Sequence, residues 1–166
     1  MPDHNEICDI SDAALLARID ALNRRYGHMI DDGELENWPG LFVEQGLYKI
    51  TTRWNFNNNM PTGLMLCDSR AMMEDRISAL RTANVFEPHS YRHLIDPPTL
   101  KGLTKDTISV QTSFVVFRTM QSGTTEIFST GRYLDKLIDI NGDLKFQERI
   151  VVCDSERIDT MIVIPL

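Results

Sequence analysis

Residues 107–120 read Thr-Ile-Ser-Val-Gln-Thr-Ser-Phe-Val-Val-Phe-Arg-Thr-Met, a long β-branched run that predicts an extended strand. Gln121-Ser122-Gly123 supplies a turn, and Thr124 to Ile140 returns as a second long strand. Asn141-Gly142 is the strongest two-residue hairpin signal in the chain, and it leads into a third strand over Asp143 to Asp154. Upstream, Ser90 to Ile95 reads as a short strand broken by Asp96-Pro97-Pro98. The first half of the chain differs in period. Leu15, Ile19, Leu22, Tyr26 and Met29 recur at spacings of four and three, predicting a helix over 12–31 with Ser11 or Asp12 as its cap and Gly33 as its stop. Met72, Met73, Ile77 and Leu80 form the stripe of another helix over Ser69 to Asn84, with Ser69 at its N-cap. A short helix is expected at 38–45, opened by Asn37 and Pro39 and ended by Gly46. Leu47 to Trp54 reads as strand, and Asn57-Asn58-Asn59-Met60-Pro61 as loop. Helices first and an antiparallel meander afterwards is the α+β pattern, with helices on one face of a bent sheet. No internal repeat or linker divides the chain. Residues 1–11 read as an extension and 12–166 as one domain.

A chain of 166 residues, 42% hydrophobic and 25% charged, is large enough to build one core without metal or disulfide support. No apolar run is long enough to span a bilayer, and the polar, acidic start is unlike a secretory signal. The expected location is the cytoplasm. The net charge of −7, with no Lys/Arg stripe, argues against binding a phosphate backbone, so neither nucleic acid nor membrane is an expected partner. Cys8, Cys67 and Cys153 stand far apart and odd in number, which fits reduced thiols rather than a disulfide framework or zinc knuckle.

His89-Ser90-Tyr91-Arg92-His93-Leu94-Ile95-Asp96 is the first place to look for chemistry, because two histidines and a carboxylate resemble a non-haem iron set. On a strand, however, residues four apart lie roughly 13 Å from one another, too far to share an ion. Hydrogen-bonded histidines are the simpler reading. A His93–Asp75 general acid/base pair is a second possibility, if the strand and the helix face each other across a conical cavity. Asp75-Arg76 reads more simply as helix surface or an interface ion pair. Asp68-Ser69 is explained by capping, and no nucleophile elbow, phosphate loop or dinucleotide fingerprint occurs. Trp38 and Trp54 suit a core or an interface equally. The apolar ending Met161-Ile162-Val163-Ile164-Pro165-Leu166 must be covered, either by its own domain or by another subunit; six such residues beyond the last strand favour a partner.

The order of features, together with Asn37-Trp38-Pro39-Gly40-Leu41-Phe42, Asp75-Arg76-Ile77-Ser78-Ala79-Leu80, Tyr91-Arg92-His93 and Val152-Cys153-Asp154-Ser155, resembles the small (beta) subunits of aromatic-ring-hydroxylating dioxygenases. The branch it looks most like acts on aromatic acids: terephthalate dioxygenase small subunits, with those of anthranilate and salicylate oxygenases close. The resemblance covers about residues 12–166. It implies a nuclear-transport-factor-2-like cone of helices on a strongly bent antiparallel or mixed sheet. It implies a structural subunit, with no cofactor of its own, beneath large alpha subunits that carry the Rieske [2Fe-2S] cluster and the mononuclear Fe(II). It further implies an alpha3beta3 hexamer on a trimeric beta base, NADH as electron source through a reductase, and a cis-dihydrodiol product. On this reading Asp75, Arg76, Tyr91, Arg92, His93, Trp38, Ile162, Ile164 and Leu166 are interface or scaffold residues rather than catalytic ones. The same cone hosts stand-alone isomerases and dehydratases, for which the His93/Asp75 pair would be the acid/base machinery. The cavity discriminates: a free-standing enzyme needs an open pocket with a buried Asp or His inside it, whereas a subunit is expected to block it with side chains such as Phe114, Phe117, Phe128 and Tyr133, or to lack convergent polar groups.

Overall fold

The Asn141-Gly142 turn is formed as expected, both residues at positive φ (54° and 90°), the requirement of the type I′ hairpin that joins two right-twisted strands. The computed structural model describes residues 10–61, 63–82, 86–157 and 162–166. Among these residues three α-helices, α1 (Ile10–Asp31), α2 (Arg53–Asn57) and α3 (Arg70–Thr82), accompany seven strands: β1 (Phe42–Thr52), β2 (Met65–Cys67), β3 (His89–Ile95), β4 (Thr99–Leu103), β5 (Ile108–Met120), β6 (Thr125–Ile140) and β7 (Asp143–Cys153). The sheet runs β2-β1-β7-β6-β5-β3, and β4 pairs with the opening half of β5 in line with β3. All pairings are antiparallel except β1 with β7, which makes the sheet mixed.

The two long helices pack on the sheet's concave face. Ile19, Leu22, Tyr26 and Ile30 of α1 and Met73, Ile77 and Leu80 of α3 join Phe42, Tyr48, Ile50, Val110, Phe114, Tyr133 and Phe146 in a single core. Ser69 caps α3 as expected, its hydroxyl accepting from the Met72 amide at 3.3 Å. The helix is described to Thr82; its expected end at Asn84 lies outside the described residues.

The expected helix at 38–45 does not form. Pro39 opens only a single 3-10 turn, Trp38–Leu41, and the chain is extended from Phe42. Gly46, read as a helix stop, sits at a bulge where the β1–β7 register shifts; a Cβ there would meet the Phe42 Cβ at 2.9 Å. At the other end β1 stops at Thr52, whose side chain accepts from the Asn55 amide at 3.2 Å and starts α2, so Arg53 and Trp54 belong to a helix rather than a strand. The short strands β2 and β4 escape a periodicity argument, since three and five residues carry too little pattern and are fixed by their partners.

Candidate functional site

The interior of the cone is polar at its centre. Arg149 points inward from β7 and has no exposed surface. It meets Asp135 of β6 directly across the hairpin, with Nε and Nη2 donating to the two carboxylate oxygens at 2.9 and 2.7 Å. Nη2 also donates to the Asn23 side-chain carbonyl at 2.5 Å, and the Asn23 amide donates to the Thr112 hydroxyl at 3.2 Å. The rings of Tyr26, Tyr133 and Phe146 surround the guanidinium, 4.1–4.2 Å from its central carbon. Burial raises the Asp135 pKa, with Arg149 pulling it back. Burial works against the Arg149 charge too, but the Asp135 carboxylate more than offsets it and the pKa rises. Nε and Nη2 are thus fully engaged, while Nη1 finds no hydrogen-bond partner among the described residues and lies in the aromatic surround.

A second polar cluster lies where α1 meets β3. Gly27 lets the two elements approach: a Cβ there would stand 3.0 Å from Ile95 Cδ1 and 3.3 Å from His93 Cβ. Asp31, at the end of α1, accepts from the His93 backbone amide at 2.9 Å and faces His93 Nδ1 at 2.6 Å. An ionised carboxylate there places the proton on Nδ1. Arg92 Nη1 stands 3.7 Å from the same carboxylate, with most of its side chain exposed.

His93 and Asp75 do not pair. Asp75 is exposed on α3, beside a cleft of about 470 Å³ lined by Leu66, Cys67, Met72, Arg76, Ala79 and Val163, while the partner of His93 is Asp31. Sequence reasoning missed Asp31 because it stands at a helix end, where an acidic residue reads as solvated. Arg76 turns inward, its Nη2 donating to the Ile162 carbonyl at 3.1 Å. Tyr91 stacks on Phe128 with ring centres 5.2 Å apart, and burial raises its pKa. Trp38 is fully buried, edge-on to Phe42 and Tyr48.

The apolar ending also corrects the sequence reading. Ile162, Val163 and Leu166 are buried in the domain's own core, and Ile164 packs against it half-buried; Met161 lies outside the described residues. The Leu166 oxygen accepts from the Tyr26 hydroxyl at 2.5 Å and the Tyr48 hydroxyl at 3.0 Å, and its amide donates back to Tyr48 at 2.9 Å. Of the four side chains expected to block the cavity, Phe114 and Tyr133 do so, stacked with centres 4.5 Å apart; Phe117 and Phe128 are half-buried.

Among the described residues no three His, Cys, Asp or Glu side chains stand close enough to hold a metal ion. Among the described residues the donors do not suit an iron–sulfur cluster either. Cys67 and Cys153 are buried, with their pKa values raised by burial, while His89 Nδ1 is engaged with the Glu87 carbonyl and His93 Nδ1 with Asp31. The cleft nearest His89 and Tyr91, about 370 Å³, is lined by Asp31, Leu80, Arg81 and Ile164 rather than by the Arg149 network.

A bent mixed sheet closed by helices over a filled interior defines a nuclear-transport-factor-2-like domain. At 15% identity and TM-score 0.66, a Novosphingobium aromaticivorans structure described as a scytalone dehydratase shares that fold alone, covering 87% of each chain. The family model for the ring hydroxylating beta subunit matches residues 25–160, and the chain belongs to that family. It is 41% identical over 149 residues to the subunit beta 1 of the terminal oxygenase component of a Comamonas terephthalate 1,2-dioxygenase, covering 90% of this chain and 97% of the relative. Identity to the small subunit of a Burkholderia cepacia anthranilate 1,2-dioxygenase is 30%, over 87% of this chain and 89% of that one. A solved structure described as the beta subunit of an aromatic-ring-hydroxylating dioxygenase from N. aromaticivorans superposes with TM-score 0.85 at 37% identity, covering 93% and 98% of the two chains.

Proposed function

We propose that this chain is the non-catalytic subunit of an oxygenase that dihydroxylates an aromatic carboxylate of the terephthalate kind to a cis-dihydrodiol. The observation that carries the reading is the closed interior: the buried Asp135 carboxylate is held by Arg149, which also bonds Asn23, so this acidic group is engaged internally rather than facing a bound substrate, although Arg149 Nη1 and the Tyr133 hydroxyl find no partner among the described residues. Membership of the beta-subunit family points the same way. On this reading residues 12–166 form one domain and 1–11 an extension. Three copies form a base for three alpha subunits in the cytoplasm; those subunits hold the Rieske cluster and the iron and receive electrons from NADH through a reductase. Asp75 and Arg92, both exposed, are contacts of that assembly. Arg76, Tyr91, His93, Trp38, Ile162 and Leu166 support the domain from within, joined by Ile164 at the core's edge.

The test is co-purification of the tagged chain from its host grown on an aromatic acid. An equimolar larger subunit, brown with bound iron, is the expected partner. A colourless protein eluting alone and free of iron would overturn the proposal.

A further inference from the structure

Leu166 is held as a ligand is held. Its oxygen accepts from two buried phenolic donors, Tyr26 and Tyr48, and its amide returns a bond to Tyr48. Its side chain is fully enclosed. The start of the same short segment is gripped separately, the Ile162 carbonyl accepting from Arg76. Between these anchors Val163 is buried and Ile164 lines the cleft beside His89 and Tyr91. Burial raises the pKa values of Tyr26 and Tyr48.

We propose that Ile162–Leu166 is a self-ligand: the cone retains an interior site for an N-acylated apolar amino acid, built by Tyr26 and Tyr48, and the chain's own Leu166 occupies it. The physical argument is one of satisfaction. Two phenolic hydroxyls without exposed surface need partners; they stand 3.3 Å from each other, so removing Leu166 would leave them at most the one bond between them. A free ligand that enters must reproduce three things: a carbonyl or carboxylate oxygen between the hydroxyls, an amide N–H toward Tyr48, and a branched aliphatic body. Occupancy from within would close this cone's interior to a small molecule, because the donors that would orient one are already used. The lock is a property of the cone alone, so its failure would leave the oxygenase assignment standing.

The test uses the chain lacking Pro165 and Leu166, with N-acetyl-L-leucine as probe. Thermal unfolding should shift upward by several degrees with millimolar probe and not with N-acetyl-L-aspartate, while the full chain should respond to neither. A shortened chain that ignores the probe, or a full chain that responds equally, would overturn the proposal. Should the shortened chain not fold, the full-length Tyr48→Phe variant decides. It keeps the ring and loses both bonds to Leu166, so amide exchange over 162–166 should quicken about tenfold or more while β5–β7 stay protected. Unchanged protection of the Leu166 amide would equally refute the self-ligand.

Discussion

A guanidinium without exposed surface is tolerable only when its charge is met on the spot, and at Arg149 one carboxylate, one amide and three aromatic rings do so. This centre was not legible in the sequence, for a definable reason. Counting back from the Asn141-Gly142 turn, an unbroken ladder would set Asp135 opposite Glu148, two like charges. A register shift between Lys136 and Leu137 moves the pairing by one residue, so Asp135 meets Arg149 and Lys136 meets Glu148, the latter pair 3.2 Å apart. Nothing in the residue pattern marks that bulge. The pair acts as a unit. Replacing one partner, as in Arg149→Met or Asp135→Leu, should cost about 3–5 kcal/mol by leaving a buried charge, while the double replacement should cost clearly less than the two added together. Urea unfolding of the four proteins measures the coupling; strictly additive losses would refute it.

At the level of elements, β5, β6, β7 and both long helices were legible because each carries 11 or more residues of consistent period. One error, the helix expected at 38–45, fell where a glycine carries two meanings. Gly46 suits a helix stop and a bulge alike, and only the closeness of Phe42 decides for the bulge. Gly131, inside the expected strand, has a role that depends on β7, which lies opposite. A Cβ there would stand 2.1 Å from the Val152 carbonyl oxygen and 3.1 Å from Cys153 Cα, backbone atoms that cannot swing away as a side chain would. Gly131→Ala should therefore lower stability by about 3 kcal/mol or more. Gly40→Ala, with nothing within 4 Å of the added methyl, should change it by no more than about 0.5 kcal/mol. Comparable melting midpoints for the two variants would show that β6 and β7 separate more easily than this packing allows.

For the whole molecule, the family was legible from the order of elements and a few short motifs, whereas the direction each motif faces was not. Tyr91-Arg92-His93 is one strand with alternate residues turned to opposite sides: Tyr91 and His93 go into the core and Arg92 goes to solvent. Asp75-Arg76 divides the same way on α3, Arg76 reaching the Ile162 carbonyl while Asp75 stays outside. The exposed members are the ones a partner can touch. Among the described residues Arg92 has a long contact with Asp31 to lose, and a part-exposed ion pair contributes about 0–1 kcal/mol. Alanine at Arg92 or Asp75 should thus leave the melting temperature of the isolated chain nearly unchanged, yet reduce the fraction recovered with the larger subunit on size-exclusion chromatography. Arg76→Ala should do the reverse at first, lowering stability through the loosened Ile162 anchor before assembly is tested at all. If Arg92→Ala and Asp75→Ala both assemble as well as the parent, the contact surface lies on another face of the cone. If either variant lowers the melting temperature as much as Arg76→Ala does, its role is internal support.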